Sequence, residues 1–171
     1  KYKIMLVNIN DTYFYFLTTG KHPEKSKHIN NMFKKHKLTE ILASTDLGKQ
    51  KSGSMGHYQM IEKGLNDQII NKPFKPFVIL EDDVSFYQKL PYSIKIPDNA
   101  DILYIGISSG SLINDVWKPN NIMYATNIND DYVKVYNMLS THAIMICSKI
   151  GACIYQKCML ENYFQNGYAW D

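Results

Sequence analysis

The chain has 171 residues, of which 45% are hydrophobic and 20% charged, a composition that excludes a disordered chain and fits one globular domain. All 19 basic residues are lysines, and they exceed the 16 acidic residues by only three and are scattered between them, which disfavours a nucleic-acid-binding protein. No apolar run approaches the roughly 18 residues of a membrane span, so we expect a soluble chain.

The apolar pattern of the first half predicts alternating strands and helices. Two strand-like runs, IMLVNI and YFYFL, are followed by a helix with Pro23 near its first turn. A third strand, LTEILAST, ends at Asp46 and leads into a segment rich in glycine, lysine and serine, DLGKQKSGSMG, which we interpret as a loop. A second helix is then expected from His57 onwards, with apolar residues at helical spacing.

The second half is predicted to consist mainly of strands. KPFKPFVIL, ADILYIGISS, NIMYATNI and THAIMICS have strand-like patterns, and a helix follows Ser148, a residue type that favours helix N-termini. The order of elements predicts an α/β fold with a parallel nucleus and antiparallel additions. Because the chain opens at Lys1 without a methionine and stops at Asp171 in mid-pattern, we expect residues 1–171 to form a single domain taken from a longer chain.

Three consecutive carboxylates, Glu81, Asp82 and Asp83, follow the apolar end of KPFKPFVIL. Ligands of open α/β sheets bind beyond the carboxyl ends of the strands. In extended chain, alternate side chains face the same way, so Glu81 and Asp83 should converge while Asp82 points to the other side. Two close carboxylates repel each other unless a cation lies near them, and Mg²⁺ or Mn²⁺ suits such ligands. A solvated acidic turn is the alternative interpretation.

Further candidates follow the first strands of the predicted sheet. Thr18, Thr19 and Gly20 end YFYFL, where a nucleotide-binding crevice would begin, although a plain turn explains them equally well. Asp46 closes the next strand and could contact a base or ribose, or cap a turn.

The second predicted helix offers a phosphate site. Lys51, Ser52 and Gly53 precede its expected start, and a helix N-terminus attracts phosphate. His57 near that start is interpreted as a histidine at the surface or at the edge of the core. His142, before the strand AIMI, is a less favoured candidate metal ligand.

The cysteines indicate a reducing environment. Cys147, Cys153 and Cys158 are odd in number and unsuitably spaced for a disulfide or zinc site. Free buried thiols are the simplest interpretation and favour a cytoplasmic location.

Several segments in this order resemble one family. VILEDDV, ADILYIG and THAIMICSKIGA are similar to segments of the glycosyltransferase family that contains lipopolysaccharide-modifying and procollagen galactosyltransferases. GSMGHYQMIEKGL resembles the glycine-containing helix start of that family, with His57 where the family has a cysteine. The resemblance covers about residues 50 to 155, and its matching positions outside the acidic motif are Gly53, Gly56, Thr141, Ala143, Ser148, Lys149, Gly151 and Ala152.

The resemblance implies a GT-A fold and metal-assisted transfer of a sugar from a nucleotide sugar, with UDP as the favoured nucleotide, to a glycan or protein hydroxyl. It assigns Asp83 as the first metal ligand and Glu81 as a second ligand or a ribose contact. Asp82 would face the sugar, and Asp171 would act as a base or contact the acceptor. Mn²⁺ or Mg²⁺ would be the cofactor. A catalytically silent sugar- or protein-binding module is the alternative, and a metal-dependent phosphoryl-transfer enzyme is a third possibility.

Overall fold

Strands and helices alternate in the first half of the chain, and strands dominate the second half. The computed structural model describes residues 3–69, 72–85, 89–106, 110–113, 116–119, 124–128, 131–136 and 142–165. The elements in these ranges are β1 (Ile4–Asn8), β2 (Tyr13–Thr18), α1 (Pro23–Met32), β3 (Lys37–Leu42), α2 (Lys49–Asn66), β4 (Phe77–Glu81), β5 (Ser93–Pro97), β6 (Ile102–Gly106), β7 (Gly110–Ile113), β8 (Val116–Pro119), β9 (Tyr124–Asn127), β10 (Val133–Tyr136), β11 (Ala143–Ile146) and α3 (Lys149–Phe164). A 3-10 helix, Ile9–Asp11, joins β1 to β2.

Five strands form a mixed sheet in the order β3-β2-β4-β11-β6. β2 runs parallel to β3 and β4, whereas β11 is antiparallel to both of its neighbours. The predicted α/β class, with a parallel nucleus and antiparallel additions, is confirmed. β4 is the central strand, and Glu81 lies at its carboxyl end, as the apolar-to-acidic switch predicted.

Each face of this sheet packs against a different set of elements. On one face, Phe14 and Leu80 belong to a cluster with Ile29 of α1 and Ile96 of β5. On the other, the cluster contains Tyr15, Phe77 and Ile79 of the sheet, Met60 and Ile61 of α2, and Ala152, Tyr155 and Met159 of α3. The alternation of buried residues along β2 and β4 therefore supplies both cores.

Helix α2 begins at Lys49, so the prediction that DLGKQKSGSMG is a loop is wrong for most of that segment. Its small residues serve close packing. A Cβ at Gly56 would lie 2.3 Å from the Leu17 side chain of β2. Ser54 donates to the Gln50 carbonyl and accepts from Asn162 of α3 at 2.8 Å. Tertiary packing therefore outweighs the low helix propensity of glycine and serine.

The predicted start of α3 is confirmed. Ser148 is the N-cap, and its hydroxyl oxygen accepts a hydrogen bond from the Gly151 N–H at 2.9 Å. Among the helices of the described ranges, none has both the length and the apolar character needed to cross a membrane.

The three cysteines are free thiols, but they differ in exposure. Cys147 is buried, and this burial raises the pKa of its thiol to about 12. Cys153 is exposed, so the expectation that all three are buried is wrong for this residue. Because α3 turns Cys153 away from the sheet, its thiol remains open to solvent. The reducing, cytoplasmic compartment stays a prediction.

Candidate functional site

A cavity of about 410 Å³ lies at the carboxyl ends of the parallel strands, and we call it the first cavity. Thr18 and Thr19 after β2, Lys49 and Ser52 of α2, and the acidic segment 81–83 after β4 contribute to its wall. The N-terminal end of an 18-residue helix and the ends of two neighbouring strands thus meet at one cleft, the position where open α/β sheets bind ligands.

Three other candidates from the sequence, Gly20, Asp46 and Lys51, lie outside the lining of this cavity. Gly20 forms the turn after β2, with a φ of 70° and its N–H donating to Thr18 Oγ1 at 3.2 Å. Asp46 is exposed in a turn in which its N–H donates to Ser44. Lys51 extends towards α3, with its Nζ 5.5 Å from the centroid of the Tyr163 ring. Asp171 lies outside the described residues, and its catalytic role stays a prediction.

Glu81, Asp83 and His142 form a cluster whose potential ligand atoms all lie within 4.8 Å of one another. His142 Nδ1 is 2.9 Å from Glu81 Oε2 and 3.6 Å from Asp83 Oδ1. The Glu81 N–H also donates to the His142 carbonyl at 3.1 Å. Glu81 and Asp83 thus converge on one side, as the strand alternation predicted.

Asp82 points elsewhere and forms an ion pair with Lys25 of α1. The distance from Lys25 Nζ to Asp82 Oδ1 is 3.0 Å, and the Asp82 side chain is only 15% exposed. The hydrogen bond from Lys25 to Asp82 raises the pKa of the Lys25 ammonium group, which therefore remains charged. Lys25 holds the carboxylate of Asp82 away from the cluster formed by its two neighbours.

The donor set of the cluster fits a divalent cation. Two carboxylates can neutralise its charge, and the imidazole adds a nitrogen ligand. Carboxylate oxygens alone suit Mg²⁺, while an added imidazole favours Mn²⁺ or a later transition metal. His142 was a less favoured ligand in the sequence, but its position beside Glu81 and Asp83 would allow it to be a third ligand.

A buried pair of side chains, His57 and Tyr155, lies near Glu81 on the helical face of the sheet. The Tyr155 hydroxyl lies 3.0 Å from His57 Nδ1, and His57 Nε2 lies 3.6 Å from Glu81 Oε1. Burial raises the pKa of Tyr155 well above its ordinary value, so the phenol keeps its proton and can donate it to Nδ1. The other ring nitrogen of His57, Nε2, faces the Glu81 carboxylate.

A second cavity, of about 700 Å³, opens on the opposite face of the sheet. Leu80, Leu90, Ile94 and Ile105 contribute apolar side chains to its wall, and His142 lies there as well. Asp83 lines both cavities. The carboxylate cluster therefore stands between two spaces, each large enough for a small ligand.

His142 and His57 reach the cluster through contacts that are distant in sequence. Ala143 of β11 pairs with Leu80 of β4, so the residue before Ala143 falls beside Glu81. An antiparallel pairing of AIMI with FVIL, had it been predicted from the sequence, would have put His142 beside Glu81. No comparable signal identifies His57, which depends on how α2 packs against α3.

No protein-family model, curated protein or solved structure matches the chain. The support for a function therefore comes from the geometry of the cluster and its cavities, together with the motifs in the sequence.

Proposed function

We propose that the chain is a metal-dependent glycosyltransferase domain of the GT-A type. It would move a sugar from a nucleotide sugar, with UDP as the favoured nucleotide, to a hydroxyl of a glycan or protein acceptor. The observation that carries this proposal is the convergence of Glu81, Asp83 and His142 at the carboxyl end of the central strand, between two cavities. The acidic motif and its order with the segments after it support the same assignment.

In this proposal the donor occupies the first cavity. Thr18 and Thr19 contact the nucleoside, and Asp82, oriented by Lys25, faces the sugar. Glu81, Asp83 and His142 hold Mn²⁺ or Mg²⁺, which when bound would supply the positive charge that stabilises the departing nucleoside diphosphate. The buried Tyr155–His57 pair lies behind this site, with His57 Nε2 3.6 Å from Glu81 Oε1.

The acceptor approaches through the second cavity. Asp83 lines both cavities, so an acceptor hydroxyl bound in the second cavity would approach the donor beside Asp83. Its oxygen would bond to the anomeric carbon as the nucleoside diphosphate leaves, and its proton would pass to a base, the role proposed for Asp171. The cavity is lined mainly by apolar side chains, which exclude water from the reacting groups and so limit hydrolysis of the donor.

Calorimetric titration with UDP tests the proposal. We expect Mn²⁺ to tighten UDP binding by at least about tenfold relative to EDTA, since the cation would bind both the cluster and the diphosphate. Uridine, which lacks phosphate, is the control and should show no dependence on Mn²⁺. Absence of UDP binding in both conditions would favour the catalytically silent module. A hydrolysis screen over nucleotide sugars then identifies the donor.

His142→Ala should change the metal preference of the site. Removing the only nitrogen ligand of the cluster should weaken Mn²⁺ binding by about tenfold to a hundredfold and Mg²⁺ binding much less, because Mg²⁺ prefers oxygen ligands. Both affinities can be measured by titration calorimetry. His22→Ala is the matched control, since His22 is an exposed histidine whose Nδ1 faces Glu24. Equal losses for the two metals would count against a direct bond to His142.

A further inference from the structure

The first turn of α2 lacks the side chains that usually stabilise a helix N-terminus. Gly48 is the N-cap, with a φ of 78° and no side-chain capping hydrogen bond, and the first turn contains no acidic residue. Lys49 and Lys51 are there instead. Positive side chains at the positive end of a helix dipole are unfavourable, and N–H groups of a first turn have no partner within the helix. A bound anion would remove both costs.

Ser52 provides an independent indication of a ligand. The residue is 6% exposed and lines the first cavity. Within the described part of the chain, its Oγ is one of the buried side-chain atoms that find no hydrogen-bond partner. A buried hydroxyl without a partner is costly, whereas one beside a ligand's acceptor oxygen is stabilising.

Gly53, the next residue of the helix, leaves open space around its Cα. It also lines the first cavity, and a Cβ added there would meet no side chain or neighbouring element within 4 Å. Glycine within a helix costs about 1 kcal/mol relative to alanine. At Gly56 a side chain would clash with Leu17, so close packing requires the glycine there. No comparable contact requires a glycine at position 53. The open face of Gly53 is therefore room that a ligand could fill.

From these observations we infer that the N-terminal end of α2 binds a phosphate group of the ligand in the first cavity. The N–H groups of the first turn, the Ser52 hydroxyl and the Lys49 ammonium would contact its oxygens. The inference rests on the proposed function in that it assigns this phosphate to the nucleoside diphosphate. One end of the diphosphate would then face the acidic cluster and the other end would face the helix. Because the chain has no arginine, a phosphate must be held by other groups, such as lysine, backbone N–H groups or a metal ion.

Two lysines of the same turn give a matched test with inorganic pyrophosphate as the probe. The titration is done in EDTA at fixed ionic strength on the whole chain. Lys49→Met should weaken pyrophosphate binding by about fivefold or more, and Lys51→Met by less than about twofold, since Lys51 extends towards Tyr163. Equal effects of the two substitutions, or no binding by the parent protein, would overturn the inference.

Gly53→Ala separates ligand binding from folding. The added methyl group should raise Tm by about 2–4 °C, because alanine favours the helix and finds open space. The same methyl group should weaken pyrophosphate binding by about fivefold or more, since it occupies the space proposed for the ligand. Unchanged affinity in this variant would refute the position assigned to the phosphate.

The outcomes distinguish this inference from the proposed function. Pyrophosphate binding that depends on Lys49, in a protein that turns over no nucleotide sugar with Mn²⁺, would support the phosphate site and contradict the glycosyltransferase proposal. Nucleotide-sugar turnover with equal affinities for pyrophosphate in the Lys49→Met and Lys51→Met proteins would leave the proposal standing and overturn the inference.

Discussion

Asp83→Asn is expected to lower nucleotide-sugar turnover by at least about a hundredfold while the protein stays folded. Asparagine keeps the shape of the side chain but removes the charge that holds the cation. Asp83 lines both cavities and its side chain is 51% exposed. Its replacement by asparagine, which has nearly the same size, therefore leaves no void in the protein core. Loss of one of two like charges near Glu81 should leave Tm unchanged or slightly higher.

The measurements are donor hydrolysis, a Mn²⁺ titration and Tm. Asp82→Asn is the matched control for metal binding, because it removes the same charge from the neighbouring residue, whose carboxylate pairs with Lys25. We expect it to alter the selection of the sugar more than the affinity for Mn²⁺. An Asp83→Asn protein with the parent's Mn²⁺ affinity and turnover would exclude Asp83 as a metal ligand and would favour the catalytically silent module.

The main sheet could be predicted where local pattern and burial agree. β2 and β4 are unbroken apolar runs that end at turn or acidic residues, and four of the five residues of β4 are buried. β5 was not predicted, because Ser93–Pro97 contains a serine and a lysine, ends in proline and pairs with β1, which is far away in sequence. The start of α2 was missed for a similar reason, since its glycine and serine residues are favourable only once β2 and α3 pack against them.

The site was predictable to the same extent. Glu81 and Asp83 converge as predicted, but strand alternation is not the full reason, because β4 ends at Glu81 and Asp83 already lies in a turn. The position of His142 depends on the antiparallel pairing of β11 with β4, and that of His57 on helix packing, so neither follows from the pattern of one segment alone. The sequence had indicated Lys51 as the lysine of a phosphate site. Because α2 begins earlier than predicted, at Lys49, it is Lys49 that lines the first cavity.

The segment SKIGA, which contributes to the resemblance, has a structural explanation in this fold. Ser148 caps α3, and its hydroxyl also donates to the Asp101 carboxylate. Gly151 is buried in the first turn of that helix, against the backbone of Asp101. These residues fix the start of α3 against the segment before β6. They therefore support the fold, while the acidic segment supports the proposed chemistry.

Gly151→Ala tests this structural role, and we expect it to destabilise the protein by at least about 2 kcal/mol. A Cβ at Gly151 would lie 2.3 Å from the Asp101 carbonyl oxygen, a backbone atom that cannot rotate away. That oxygen also accepts a hydrogen bond from the Cys147 N–H at 2.9 Å, so moving it would break the connection between β11 and the chain before β6. Tm should fall by about 4–8 °C, as thermal unfolding would measure.

Gly53→Ala is the control for this substitution, because it makes the same chemical change in a helix where a Cβ meets open space. The two variants should shift Tm in opposite directions, since helix propensity favours alanine at both positions but only Gly151 faces a fixed backbone atom. A Gly151→Ala protein with the Tm of the parent would mean that α3 can shift away from Asp101 at little cost. Its cap would then not fix the helix, and the packing explanation for SKIGA would fail.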